Sequence, residues 1–569
     1  MGRFSRLLAA LGLLVASTFA VFALLEAAPG GPMAAYRGDS HLAASDVARL
    51  NREFGAGRPF YAQYFSWLFR VLHGDLGWSP SNARPVSQEI VERLPATIEL
   101  VFLALVAAVV LGAITGLVRA RMRASIPFDV IAVPQLVCRA TPIVILVLFV
   151  QLLLVFTKLL PNAGIASVDG FDLRDRLSHL IVPVLCLAVP FGAWSSLIFY
   201  DFFRTSEGAL RTSARSIAGP VVSTVALIGP PLIAASLLIE PMFAWPGVGR
   251  PFFFAVSQVD LGVIAGILLL YSVAMVLMTI LADVSPSNGD RTSRHGLART
   301  SASGRKGFSA IGVIACIVLL CAAFGAVAAN LIAPIGPFFI DIAHWRGYPL
   351  PPGVAGHVLG TDENARDLFA RLLFGLRTSL GIAAFAAVAA TAIGALVAFA
   401  TKAVPRFNDR DALRLTGIRP FAAFPFILAT IAILGAKLHT TEFLRPLTIA
   451  LIIAAVSWPA VIPAFRAFSP ASLGGFVDVT AGALLLEVSM SIFGFGVQPP
   501  TPSLGNLLVN LQSNFAITPW LSIIPTVVVV VTLGALYAVA DDLREMHSPE
   551  PRTAQAEARS IVVSAGRAG

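Results

Sequence analysis

The 569 residues are 57% hydrophobic and only 13% charged. A soluble chain carries about 25% charged residues, so this composition excludes an ordinary globular enzyme and points to a membrane protein. The net charge of +9 does not indicate nucleic acid: charges are sparse and no basic stripe interleaves with aromatics, whereas basic loops at one membrane face account for the excess.

A helix needs about 20 apolar residues to cross a bilayer, and by that criterion about twelve spans are predicted. The first, Leu7–Leu25, follows Arg3 and Arg6. Its basic start and the trailing "LEAAPGG" also fit a secretory leader, but the apolar stretch is long for one. A mixed segment follows, Ala27–Pro95, in which "SDVARLNREFGAGRPFYAQYFSWLFRVLHGDLGWS" reads as short amphipathic helices. Spans at Ile98–Val118, Val130–Phe156, Leu180–Phe199, Val221–Ile239 and Leu261–Leu281 complete a first half. The stretch "DVSPSNGDRTSRHGLARTSASGRKG" carries five basic residues against two acidic ones and reads as a flexible, solvated join. The second half repeats the layout with a span at Phe308–Ile332, a segment Ala333–Gly375, and spans at Leu380–Thr401, Phe421–Ala436, Leu447–Phe465, Val477–Phe493 and Leu521–Ala540. All are predicted as helices, since lipid offers no partner to unpaired backbone groups and no strand-period alternation suggests a barrel. The expected fold is an all-α polytopic membrane protein of two six-helix halves.

Lys and Arg in the short loops set the orientation. Arg119, Arg121 and Arg123 follow the second span; Arg204, Arg211 and Arg215 follow the fourth; Lys402, Arg406, Arg410, Arg414 and Arg419 fill the matching loop of the second half. The alternate loops are nearly uncharged, as in "VQPPTPSLGNLLVNLQSNFAITP". Both termini and the linker are therefore expected to be cytoplasmic.

No catalytic constellation emerges. The eight histidines are scattered, with no HxxxH or HExxH pair, and neither GxSxG nor GxxxxGK[ST] occurs, so the chain has no P-loop with which to bind ATP. Cys138, Cys186, Cys316 and Cys321 lie in apolar runs and read as buried hydrophobes, neither disulfides nor metal ligands. No metal or cofactor is expected.

Two ionisable residues stand out. In "LLIEPMFAWPGVG" Glu240 is followed by Gly247 and Gly249; in "LLLEVSMSIFGFG" Glu487 is followed at the same spacings by Gly494 and Gly496. Membrane carboxylates are costly, at least about 2.5 kcal/mol on insertion scales, and usually face a bundle interior or an aqueous path. A position at the membrane interface is the other reading. Pro241, Pro246 and the glycines are expected to break the helix there, and broken backbone at membrane depth requires cover by protein or a cavity.

The first half resembles the B-type permease of the oligopeptide/dipeptide/nickel class of ATP-binding-cassette (ABC) importers, through "APGGP" (Ala28–Pro32), "RPFYAQYFSWLFRVLHGDLG" (Arg58–Gly77), "ERLPATIEL" (Glu92–Leu100) and "FAWPGVGRPFFFAV" (Phe243–Val256). The second half resembles the C-type partner through "HVLGTDENARDLFARLLFGLRTSL" (His357–Leu380), "SMSIFGFGVQPPTPSLGNLL" (Ser489–Leu508) and "DDLRE" (Asp541–Glu545). The resemblance implies a type-I importer permease fold with both partners fused. The domains would be a first helix and extracytoplasmic segment (1–94), a first permease domain (95–285), a cytoplasmic linker (286–307), a second helix and extracytoplasmic segment (308–373), a second permease domain (374–543) and a cytoplasmic tail (544–569).

It further implies a multi-pass protein of the bacterial inner membrane, fed by an extracytoplasmic solute-binding protein and driven by two cytoplasmic ATPase subunits. Glu240, Gly247, Gly249, Glu487, Gly494 and Gly496 would line or shape the outer gate. Asp75 and Gly77 of "GDLG", with Asp362, Arg366 and Asp367 of a "GTDxxGRD"-like motif, would help dock the binding protein; Ala365 replaces that motif's usual glycine. The coupling loops depart further from the family. "RTSEGALRTSARSIAG" (Arg204–Gly219) and "RAFSPASLGGF" (Arg466–Phe476) are short, and Pro and Gly in the second are expected to prevent a helix, at about 3 and 1 kcal/mol each. Arg204, Arg211, Arg215, Gly219 and Arg466 are the remaining candidate ATPase contacts. Alternative readings are a permease-derived protein no longer coupled to an ATPase, or a secondary transporter, the latter weakened by the lack of a central run of ionisable groups.

Overall fold

Long apolar runs become helices wherever the chain is described. The computed structural model describes residues 15, 18–23, 59–79, 81–122, 134, 136–165, 172–205, 214–284, 308–345, 347–402, 430, 444–458, 471–511, 514–515 and 518–546. In chain order these form α1 (Phe60–Leu72), a hairpin of β1 (Trp78–Ser79) and β2 (Arg84–Pro85), α2 (Val86–Met122), α3 (Ile143–Thr157), α4 (Leu173–Thr205), α5 (Ala214–Met242), α6 (Gly249–Gln258) and α7 (Leu261–Val284). There follow α8 (Ala310–Val327), α9 (Ala329–Ile332), α10 (Leu368–Lys402), α11 (Leu444–Ser457), α12 (Ala471–Ile492) and α13 (Pro519–Met546).

Among the described residues, eight helices are long and apolar enough to cross a membrane: α2, α4, α5, α7, α8, α10, α12 and α13. Helices α3 and α11 are apolar but only 15 and 14 residues long. The expected spans Leu7–Leu25 and Phe421–Ala436 lie mostly outside the described residues, as do the linker 286–307 and the basic loop 403–419. The two-residue hairpin, antiparallel with Trp78 opposite Pro85, is a small departure from the all-α expectation.

Helix α2 starts at Val86, well before the apolar run, because its first turns have polar partners. Buried Glu89 accepts from Asn82 Nδ2 at 2.9 and 3.0 Å and pairs with Arg84 at 3.2 Å. An acidic group in the first turn also suits the positive end of the helix dipole. At 37 residues, α2 is about 55 Å long at 1.5 Å per residue, longer than the bilayer core.

Helix α2 packs along α4 through small residues. Gly112 and Gly116, one turn apart, share a face; a Cβ on Gly112 would lie 1.7 Å from Ser195 Oγ, and one on Gly116 would lie 2.8 Å from Phe199 Cβ. Such GxxxG spacing lets helix backbones approach closely in lipid, where burial of apolar surface drives little association. In the second half, α12 packs on α10 and α13, and α8 packs on α13. Asp542 fixes that last contact by accepting from Ser309 N–H (2.7 Å) and Ser309 Oγ–H (2.8 Å), while Ser309 caps α8.

The halves meet at several points. Arg139 Nη1 donates to Asp541 Oδ2 at 2.7 Å, and its guanidinium lies over Trp194 and Tyr537. Phe149 meets Phe515 with ring centroids 6.0 Å apart. The cysteines are all free, but only Cys186 is buried; Cys138 and Cys316 are half-buried and Cys321 is exposed on α8, contrary to the expectation of four buried hydrophobes. An apolar thiol on a lipid-facing helix is solvated by lipid and needs no protein cover.

Candidate functional site

Helix α5 carries Glu240 in its last turn and ends at Met242; a tight turn leads to α6 at Gly249. Pro241 is still helical, so the break comes after it and not at it. Glu240 is fully buried within the protein. Its Oε2 accepts the Gly249 N–H at 2.5 Å, satisfying a donor at the start of α6 that no helical carbonyl can reach. The Thr97 hydroxyl, on α2, hydrogen-bonds the same carboxylate and accepts the Val248 N–H at 2.9 Å. Trp245, also fully buried, donates its Nε1–H to Ala96 O at 2.9 Å. The glycines follow from this packing: a Cβ on Gly247 or Gly249 would lie 2.3 or 2.8 Å from Glu240 Oε2.

The second half builds a related lock from different parts. Glu487, fully buried on α12, accepts from Ser491 Oγ at 2.8 Å, and the hydroxyls of Ser379 and Ser503 also hydrogen-bond its carboxylate. Ser491 Oγ accepts the Val497 N–H at 3.1 Å, and Ser379 Oγ, on α10, accepts the Leu504 N–H at 3.0 Å. Gly494 is required for another reason than Gly247, since its φ of +79° lies in the left-handed region. A Cβ on Gly496 would lie 2.1 Å from Ser491 Oγ.

Each half therefore ties a buried glutamate, a hydroxyl on a neighbouring span and backbone N–H groups of the following turn into one unit. Sequence reasoning found the glutamates and glycines but missed Thr97 and Ser379. Their signal was present: each immediately precedes an expected span, at Ile98 and Leu380. One oxygen of each carboxylate, Glu240 Oε1 and Glu487 Oε2, has no hydrogen-bond partner. Just beyond the two locks, Phe253 of α6 meets Phe493 and Phe495 with ring centroids 5.3 and 5.8 Å apart.

The expected docking residues are placed unequally. Asp75 is exposed, and its Oδ1 accepts the Gly77 N–H at 2.9 Å in a turn where Gly77 has φ +91°. The hairpin behind that turn is held by buried Asp260, which accepts from Ser79 Oγ at 2.6 Å and Ser81 Oγ at 2.5 Å. Asp362 pairs with Arg371 at 3.1 Å and accepts the Arg366 N–H at 2.8 Å. Burial raises the Asp362 carboxyl above its ordinary range, against the opposing pull of Arg371. Asp367 is only 2% exposed. It holds His357 Nδ1 at 2.8 Å and accepts the Ala370 N–H at 2.7 Å, capping α10. Ala365 has φ +56°, a left-handed conformation that glycine adopts more readily than alanine.

The coupling segments are shorter than the sequence suggested. Arg204 lies at the end of α4 and Arg215 in the first turn of α5, which leaves 206–213 between the helices; Gly219 is buried within α5. Arg211 and Arg466 lie outside the described residues. In the second half the expectation of no helix fails from Ala471 onward, since α12 begins there and includes Gly474 and Gly475. Packing of α12 on α10 and α13 outweighs the glycine cost, and a proline just before a helix does not interrupt it.

The described helices thus form a bundle of apolar spans in which an ordered break after a buried glutamate occurs twice. No family model matches the chain. A Brucella ovis protein described as a peptide permease is 30% identical over 303 residues, 49% of this chain and 94% of its own length. The dipeptide transport system permease protein DppB of Escherichia coli is 29% identical, over 47% of this chain and 91% of its length. The oligopeptide transport system permease protein AppB of Bacillus subtilis is 27% identical, over 49% and 94%. The chain belongs to the family of ABC transporter permeases that includes these proteins, and it is a multi-pass membrane protein.

Proposed function

We propose that the chain is a fused permease pair forming the whole translocation path of an ABC importer for peptides or similar small solutes. The observation that carries this is coverage: relatives matched over at least nine-tenths of their own length account for only about half of this chain. The repetition of the glutamate–hydroxyl lock supports it. In this reading the domains divide at 94/95, 285/286, 307/308, 373/374 and 543/544, twelve spans cross the membrane, and both termini are cytoplasmic. Two ATPase subunits attach near Arg204, Arg211, Arg215, Gly219 and Arg466. A solute-binding protein docks near Asp75, Gly77, Asp362 and Arg366, with Asp367 holding its segment in shape. Glu240, Gly247, Gly249, Glu487, Gly494 and Gly496 shape the outer gate by fixing the broken helix ends. The test is reconstitution with the candidate ATPases and binding protein in vesicles: ATP-dependent peptide uptake with one permease chain per assembly supports the reading. An obligate dimer of this chain, or no ATPase recovered on pull-down, counts against it.

A further inference from the structure

Helix α1 has three faces. At about 100° per residue, Tyr64, Trp67 and Val71 lie on one side, Tyr61, Phe65, Phe69 and Leu72 on a second, and Gln63, Ser66 and Arg70 on a third. The first side is packed: Tyr64 and Trp67 are 6% and 7% exposed, Phe22 of the first span meets both rings, and Tyr64 OH hydrogen-bonds Thr18 Oγ1 at 2.9 Å. The second is bare, with Tyr61 66%, Phe65 63%, Phe69 63% and Leu72 76% exposed. Four large apolar side chains on one stripe, opposite a polar one, are the pattern of a helix lying in a membrane surface.

We propose that α1 is an interfacial anchor whose Tyr61–Phe65–Phe69–Leu72 stripe is seated in lipid. Continuity with the membrane-facing surface identifies the occupant. Phe19 of the first span, 48% exposed, meets the rings of Phe60 and Tyr64 on α1, so the bare stripe adjoins side chains already turned toward lipid. The second half shows a counterpart at the same place in its layout, between α9 and α10, where Phe338, Phe339 and Ile342 are 54%, 57% and 77% exposed. Helix α1 runs directly into the turn of Asp75 and Gly77, so the anchor sets the height of that turn and its hairpin relative to the membrane. The inference needs only that the chain is membrane-inserted, not that it carries peptides.

A photoreactive phenylalanine analogue placed singly at 65, 69, 63 and 320 in the full chain, irradiated in native membranes and read by mass spectrometry, tests this. Position 320 on α8, where Leu320 is 70% exposed, reports contact with bulk lipid. Lipid adducts at 65 and 69 as abundant as at 320, and absent at 63, are the expected result. Adducts at 65 and 69 to another protein, to a second copy, or to residues 24–58 of this chain would overturn the proposal. So would the absence of lipid adducts at 65 and 69 when 320 is labelled. A loss of labelling at 320 as well would show that the chain is not membrane-inserted, and would overturn anchor and permease readings together.

Discussion

At Thr97 one hydroxyl serves two partners, accepting from Val248 N–H and bonding the Glu240 carboxylate. Thr97→Val keeps the shape and removes both interactions, leaving a buried donor unpaired; the expected cost is about 1–3 kcal/mol, read as a lower melting temperature in detergent. Ser379→Ala should do the same in the second half. Glu240→Gln retains an oxygen for the Gly249 N–H, so it should lower uptake more than thermal stability, whereas Glu240→Leu should lower both. Wild-type uptake by Glu240→Gln would remove the glutamate from the gate. Ala365 offers the opposite sign: Ala365→Gly relieves a left-handed alanine and should stabilise by about 1 kcal/mol, unless the added freedom of the unfolded chain cancels it. The glutamates were legible because charge is rare in apolar runs. Thr97 and Ser379 were overlooked, because a hydroxyl in a helix usually bonds its own backbone, and their place just before an expected span was the one sign of another role.

Spans are easy to read from sequence because lipid demands long apolar helices, and eight were recovered as such among the described residues. Their ends are harder, since polar partners from elsewhere decide them: Asn82 and Arg84 extend α2, and packing extends α12 back across Gly474 and Gly475. The contact of α2 with α4 was missed because Gly112 and Gly116 look like gaps in hydrophobicity when only hydropathy is followed. Gly112→Leu should separate these helices and cost at least about 1–3 kcal/mol by overpacking, measured as loss of folded protein after heating. The first coupling segment carries Arg204, Arg211 and Arg215 against Arg466 alone in the second, so ATPase attachment is expected to be asymmetric. Charge reversal at Arg211 and Arg215 should weaken ATPase co-purification more than reversal at Arg466, and high salt should mimic it by screening exposed ion pairs. Equal sensitivity of the two loops would remove the asymmetry.

For the molecule as a whole, a fused pair implies that the segment 286–307 raises the local concentration of one half around the other. Cutting the chain near Gly296 and co-expressing the pieces should therefore restore an active pair, more weakly at low expression. Contacts such as Arg139–Asp541 should then hold the pieces together. Asp541→Asn removes the carboxylate paired with the Arg139 guanidinium, 11% exposed, and leaves the weaker pull of Asp478. The expected loss is on the order of 1–3 kcal/mol, discounted because Asp541 is 40% exposed, and split chains should dissociate more readily on gel filtration. Unchanged association would place the pairing energy elsewhere. The twofold layout was legible in the repeated glutamate spacing, but contacts between halves hundreds of residues apart leave no local pattern.

Phe253, Phe493 and Phe495 bring both halves together through half-buried phenyl rings. Phenyl rings cannot replace the water around a sodium ion or a proton, so if the proposed path closes at these rings they would block current without any charged barrier. In the proposed permease reading, such a closure would keep a path for solutes from draining the electrochemical gradient between turnovers. Phe253→Ser should make the membrane potential decay faster in energised vesicles with no solute present. The same change at Phe324, an outward-facing ring on α8, should leave the decay as it was. If both variants hold their potential equally, the insulating layer lies at another depth in the protein.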